Sequence, residues 1–131
     1  MRKFYVDTCK NADDDIRALR RVDVSAAAEV AATLQLIEED PNAIDKLTTH
    51  GENQFSATRL NVKRWEAAKH IGNIWRLRIL DTPATPYRIV YGYHWETRTI
   101  CVLAVVKKEK FDYDDLSSDI SRRILADWRA L

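Results

Sequence analysis

Up to about residue 50, apolar positions recur every three to four residues; from residue 60 to residue 106, they alternate or form short runs, so the chain reads as helices first and strands afterwards. At the start, Lys3-Phe4-Tyr5-Val6-Asp7-Thr8 alternates enough to predict a short strand. Asp13-Asp14-Asp15 then opens a helix, since carboxylates favour the positive end of the helix dipole, and Ile16 and Leu19 give it an apolar stripe. Ser25 is placed to cap a longer helix that runs to Asp40 and stops at Pro41. Ala27, Val30, Ala31, Leu34 and Ile37 form its inward face. A further helical turn is expected over residues 43–48, and a looser segment from Gly51. Leu60-Asn61-Val62-Lys63-Arg64-Trp65 reads as an edge strand. Three stronger strands are expected at 74–80, 87–93 and 99–106, joined by a proline-containing loop and a charged turn. Residues 114–131 close the chain as a helix, with Leu116, Ile120, Ile124 and Trp128 four apart on one face.

Helices followed by a strand meander define an α+β domain, with N-terminal helices packed on a small, mostly antiparallel sheet and a C-terminal helix. A length of 131 residues with no repeat or linker implies one domain, 1–131, able to bury a core without staples. The hydrophobic fraction of 46%, with three glycines and three prolines, is that of a folded chain. The longest apolar run, residues 100–106, is far too short to span a bilayer. Met1-Arg2-Lys3-Phe4-Tyr5 lacks the apolar run of a signal peptide, so the expectation is a cytoplasmic protein with no membrane contact. Cys9 and Cys101 lack metal-site spacing and are expected to be buried as small hydrophobes.

The net charge of +1 suggests no partner, but its distribution does. Residues 1–57 hold seven Lys/Arg against eleven Asp/Glu, residues 58–111 eleven against four, and residues 112–131 three against five. A basic middle can present a local anion-binding surface on a protein of bland overall charge. Alternation places Trp75, Leu77 and Ile79 on one face of their strand and Arg76 and Arg78 on the other. In Tyr87-Arg88-Ile89-Val90-Tyr91, Arg88 lies opposite Tyr87, Ile89 and Tyr91. Natural pairing of the two strands puts the three arginines on one face. Alternating charge is ordinary on a solvated sheet face, but three like charges with more lysines downstream favour phosphate binding.

After the last strand, Lys107-Lys108-Glu109-Lys110-Phe111-Asp112-Tyr113-Asp114 joins cations to two aromatic rings, which are the parts that single-stranded RNA recognition requires. Phe111 reads as a core plug, while Tyr113 suits the core and the site equally. His50, His70 and His94 read as surface or loop residues; alternation directs His94 to the Arg88 face, as a further candidate for substrate contact.

Taken in order, Asn73-Ile74-Trp75-Arg76-Leu77-Arg78, Tyr87-Arg88-Ile89-Val90-Tyr91, Val102-Leu103-Ala104-Val105-Val106-Lys107 and Phe111-Asp112-Tyr113-Asp114 resemble the RelE/ParE toxin superfamily. The resemblance covers residues 55–131 well and the N-terminal helices in outline. It implies the toxin of a type II toxin–antitoxin pair, nearer the RelE/HigB-like branch: a ribosome-dependent mRNA endoribonuclease that inhibits translation. No metal or other cofactor is implied, because the RNA's own 2′-hydroxyl attacks the adjacent phosphate. By motif position the catalytic set is Arg76, Arg78, Arg88, Lys110 and Tyr113, the last as a ring that stacks on a base. Lys107, Lys108, Asp112 and His94 are expected at the substrate. The implied partners are the ribosome and mRNA, and a cognate antitoxin of helix-turn-helix type, in a homodimer or a hetero-oligomer with that antitoxin. The general acid and base stay open among His94, Asp112, Asp114 and a lysine of lowered pKa. The tail carries lysine where many such enzymes have arginine or histidine. Two alternatives remain, a ParE-like toxin that binds DNA gyrase and a catalytically inactive homologue.

Overall fold

The computed structural model describes residues 3–131. A short strand, β1 (Tyr5–Thr8), leads into helix α1 (Lys10–Val22), and one residue, Asp23, separates α1 from α2 (Val24–Glu39). Asp23 takes the capping role expected of Ser25: its carboxylate accepts a hydrogen bond from the Ala26 amide at 3.0 Å, so α2 starts earlier. Helix α1 also starts earlier than its aspartate triplet, and only Asp13 of the three lies in its first turn. A short helix α3 (Ala43–Leu47) follows Pro41.

The remainder is β2 (Gly51–Phe55), β3 (Thr58–Arg64), β4 (Ile74–Ile79), β5 (Tyr87–His94), β6 (Thr99–Lys107) and the C-terminal helix α4 (Asp119–Arg129). The six strands form one sheet in the order β1-β6-β5-β4-β3-β2, antiparallel throughout except that β1 runs parallel to β6. The protein is therefore α+β. Two boundaries differ from expectation. Residues 51–55 pair with β3 and take the edge, which makes β3 an interior strand. Gly-Glu-Asn-Gln-Phe conceals a strand because Phe55 is its only buried side chain. Helix α4 begins at Asp119, not near residue 114, and the Ser118 hydroxyl caps it by accepting from the Ser121 amide at 3.1 Å.

Two apolar clusters sandwich the sheet. On one face, Leu60, Val62, Trp75, Leu77, Ile89, Tyr91 and Val102 pack against Leu19, Val30 and Ile37 of the N-terminal helices. On the other, Ile74, Val90, Leu103 and Ala104 pack against Trp65, Phe111 and the α4 residues Ile124 and Leu125. Both clusters meet across β6, whose first eight residues are all buried; this accounts for the unbroken apolar run in its sequence. Trp128 of α4 lies so close over Gly72 and Gly92 that a Cβ at either would sit 2.1 or 2.3 Å from the indole. Among the described residues no helix is long and apolar enough to cross a membrane.

Beyond Thr8, β1 no longer flanks β6, and the bared edge is taken over by α1 and α4. The Cys9 amide donates to the Val102 carbonyl at 3.0 Å. The Asp15 carboxylate accepts from the Val105 amide at 3.0 Å and, bidentately, from the Arg123 guanidinium at 3.1 and 2.7 Å. Asp127 of α4 accepts from Asn11 of α1 at 2.8 Å, closing the same seam. Side-chain exposures of 18% for Asp15 and 29% for Arg123 make this a mostly desolvated pair. Asp15→Ala is expected to cost about 2–4 kcal/mol in urea unfolding, because it strands both a guanidinium and an amide. Asp14→Ala, which breaks only exposed pairs with Lys10 and Arg17, is expected to stay within about 0.5 kcal/mol. Equal effects of the two substitutions would contradict the assignment.

Candidate functional site

Strand alternation delivers the three arginines to one place. Trp75, Leu77 and Ile79 of β4, with Ile89 and Tyr91 of β5, enter the helix-covered core, so Arg76, Arg78 and Arg88 face the opposite side of the sheet. In register, Lys63 lies beside Arg76 and Asn61 beside Arg78, while Leu77 opposite Ile89 sets Arg78 next to Arg88. The arginines line a basin of about 510 Å³ with Asn61, Lys63 and Arg64 of β3, and Lys108, Tyr113 and Asp114 of the tail.

The basin is rich in positive charge, and its arginines are partly to fully buried. Arg88 is only 5% exposed, and Arg76 and Arg78 are half-buried. Arg76 donates to the backbone and side-chain oxygens of Asn61, both at 3.1 Å. Arg88 donates to the carbonyls of Thr85 and Tyr87 at 2.9 and 3.2 Å. The Arg78 Nε is buried without a hydrogen-bond partner. None of the three pairs with a carboxylate among the described residues, whereas Arg59 pairs with Asp81 and Arg123 with Asp15. Burial lowers the pKa of Arg76 and Arg88; the pull of Tyr113 opposes this, and neighbouring guanidiniums add to it. Both remain cations at neutral pH, as arginine does in proteins.

Tyr113 is held by an aromatic cluster. Its ring stacks on Phe111 at 4.4 Å, and Trp65 meets both rings edge-on at 5.4 and 6.3 Å. The Trp65 indole N–H donates to the Tyr113 carbonyl at 2.6 Å. Phe111 is thus part of the core, and one face of the Tyr113 ring is already occupied. What Tyr113 offers the basin is its hydroxyl, which is buried and unpartnered. Burial pushes the phenol up to about 12, against the smaller downward pull of Arg76 and Arg88. It is a proton donor at neutral pH.

The rest of the expected set scatters. Lys108 and Asp114 line the basin, but Lys107 is drawn to Glu109 at 3.1 Å and does not. Lys110 is exposed at the end of a short 3-10 turn, off the basin. Asp112 is exposed and accepts from the Asp114 amide at 2.9 Å, so it shapes the tail from outside the basin. His94 ends β5 six residues from Arg88, roughly 20 Å at the strand rise, and packs near Trp128 at 6.1 Å. Asn61, Lys63, Arg64 and Trp65 were not expected in the site. The alternation of Leu60-Asn61-Val62-Lys63 carries the signal, but an edge placement for β3 hides its register with β4. Both thiols are free, with Cys101 buried and Cys9 only half-buried.

No protein-family model, curated protein or solved structure matches the chain. Geometry alone therefore defines what the site can do: hold a polyoxyanion such as a phosphodiester against fixed guanidiniums, with a neutral phenol supplying one more donor.

Desolvated like charges without counter-ions destabilise a fold. Arg78→Met, which keeps the buried stem and removes an unsatisfied cation, is expected to raise stability by about 0.5–2 kcal/mol in urea unfolding. Inorganic phosphate is expected to raise the wild-type melting temperature and to have a smaller effect on the variant. A variant less stable than the wild type, or equally protected by phosphate, would count against an anion site.

Proposed function

We propose that this protein is the toxin of a type II toxin–antitoxin pair, cleaving mRNA on the ribosome without a metal or other cofactor. The observation that carries this reading is the basin itself, where Arg76, Arg78 and Arg88 converge with no carboxylate partner beside the free Tyr113 hydroxyl. The ordered strand motifs that resemble RelE/ParE toxins support it. In the proposed step, the RNA 2′-hydroxyl attacks the adjacent phosphorus and the P–O5′ bond breaks. A 2′,3′-cyclic phosphate forms, and the 5′-oxygen leaves with a proton. The arginines hold the nonbridging oxygens, where charge develops in the transition state. Tyr113 gives the proton to the departing 5′-oxygen, and Asp114, on the basin wall, accepts the proton of the 2′-hydroxyl. A cognate antitoxin would act by covering the basin, and the cytoplasm, where mRNA is translated, is the proposed location.

In a translation extract, the protein is expected to produce codon-phased cuts in mRNA. Arg88→Ala is expected to slow them by roughly 10²–10³, the worth of one donor aimed at developing charge. Intact mRNA together with inhibited gyrase supercoiling would transfer the protein to the gyrase-binding reading. Uninhibited growth on expression would leave an inactive homologue.

The Tyr113 role fixes a sign in the pH profile. An ordinary tyrosine loses its proton near pH 10. A phenol raised to about 12 keeps its proton, and so its activity as an acid, as pH rises through that range. Cleavage rates are thus expected to show no alkaline decline between about pH 8 and 10 that depends on Tyr113. A decline centred near pH 10 in the wild type and absent from Tyr113→Phe would show a phenol that is not raised, and a cleavage rate unchanged in Tyr113→Phe would overturn the role.

A further inference from the structure

A second depression, of about 400 Å³, lies at the opposite end of β5 from Arg88. Arg64 borders both it and the basin. Its other walls include Lys69, His70, His94, Trp95 and Trp128, and its only carboxylate is Glu96. The Arg64 Nε is buried without a partner, and its guanidinium lies 6.0 Å from the Trp75 ring. Lys69 approaches Glu66 only at 3.9 Å, and both side chains are largely exposed, so solvent screens the pair. Trp95 lies in the connection between β5 and β6 and is 71% exposed, an indole held out of the core. Trp128 is fixed over Gly72 and Gly92, with the His94 ring tilted beside it.

We propose that this groove is a second RNA subsite, where a base several nucleotides away from the phosphate held in the basin stacks on Trp95. Arg64 and Lys69 then hold the intervening backbone. The inference rests on the reading of the basin as an RNA phosphate site and gives the substrate a direction: one continuous single strand running from the Arg88 end of β5 to its His94 end, past Arg64 and Lys69. Cations with an exposed indole suit single-stranded nucleic acid, because every base has a π-face and the backbone is anionic throughout. Arg88 and His94 are separated by roughly 20 Å of strand, a span that a dinucleotide does not bridge and a longer single strand does. His94 thereby has a place near substrate, at the groove and away from the reacting phosphate.

The test uses 2′-O-methyl oligoribonucleotides, which cannot be cleaved by 2′-hydroxyl attack, with binding of a dinucleotide and of an octanucleotide compared by competition. The wild type is expected to favour the octanucleotide. Trp95→Ala, at an exposed position that leaves the core intact, is expected to weaken octanucleotide binding roughly 5- to 100-fold and to leave dinucleotide binding unchanged. Lys69→Ala is expected to act in the same direction with a smaller effect. Arg88→Ala is expected to weaken both lengths. Octanucleotide binding unaltered by Trp95→Ala overturns the second subsite and leaves the basin reading in place. Failure of the wild type to bind either length overturns both.

Discussion

The structure is organised by one strand buried from both sides. β6 receives α1 and α2 on one face and α4 on the other, and eight successive residues are sealed. That demand consumes the C-terminal helix. Eleven residues of α4 span roughly 16 Å, enough to cover β6 and part of β5 but not the rest of the sheet. The opposite side of β3 and β4, and the start of β5, is therefore left without a helix. The aromatic tail closes only its rim. The basin is the uncovered remainder of a face whose other part had to be buried, and the Asp15–Arg123 seam holds α4 in the position that leaves it open.

Exposure alone does not make a site of that remainder. Arg76 and Arg78 come up between the inward-facing Trp75, Leu77 and Ile79, and Trp65 and Tyr113, the latter backed by Phe111, wall them in from the side. The guanidiniums are therefore partly desolvated before any ligand arrives, and an oxyanion entering the basin meets cations already stripped of much of their water. Charges in this state interact more strongly than the same arginines on an open surface. Their hydrogen bonds hold them in place: Arg76 is tied to Asn61 and Arg88 to the carbonyls before its strand, so little reorganisation is needed on binding. The carboxylates on the basin wall are Asp114 of the tail and Glu66, and neither pairs with any of the three.

How far the sequence foretold this depended on the type of signal. Strict alternation in β4 and β5 was enough to put Arg76, Arg78 and Arg88 on one face, because period two leaves no other solution once Trp75 and Leu77 go inward. Register between strands was not legible. Residues 51–55 are polar and bury only Phe55, so the edge strand escaped notice and β3 lost its neighbour, along with Asn61 and Lys63. The tail misled for a related reason. Motif position points to Lys110, but a 3-10 turn at 108–110 directs Lys108 to the basin and leaves Lys110 outside. Irregular segments have no period from which direction can be inferred. Capping is not legible from residue type alone: Ser25 is the expected cap of α2, and Asp23 takes the position because α1 and α2 are separated by a single residue.

β5 connects the two halves of the functional picture. Arg88 begins one end in the basin, and His94 ends the other beside an exposed indole, with Gly92 between them under Trp128. The glycine permits the indole to descend onto the strand, and the indole in turn separates the basin side of the sheet from the hairpin end. A ligand reaching both ends must pass around α4 along the 65–73 connection, past Arg64 at the end of β3 and then Lys69 and His70. The basic residues of that connection are thus on the only side of the strand that the C-terminal helix leaves free. A flexible polyanion suits such a curved, one-sided path, whereas a rigid duplex would have to clear both the aromatic tail and α4 to bring a phosphate to Arg88.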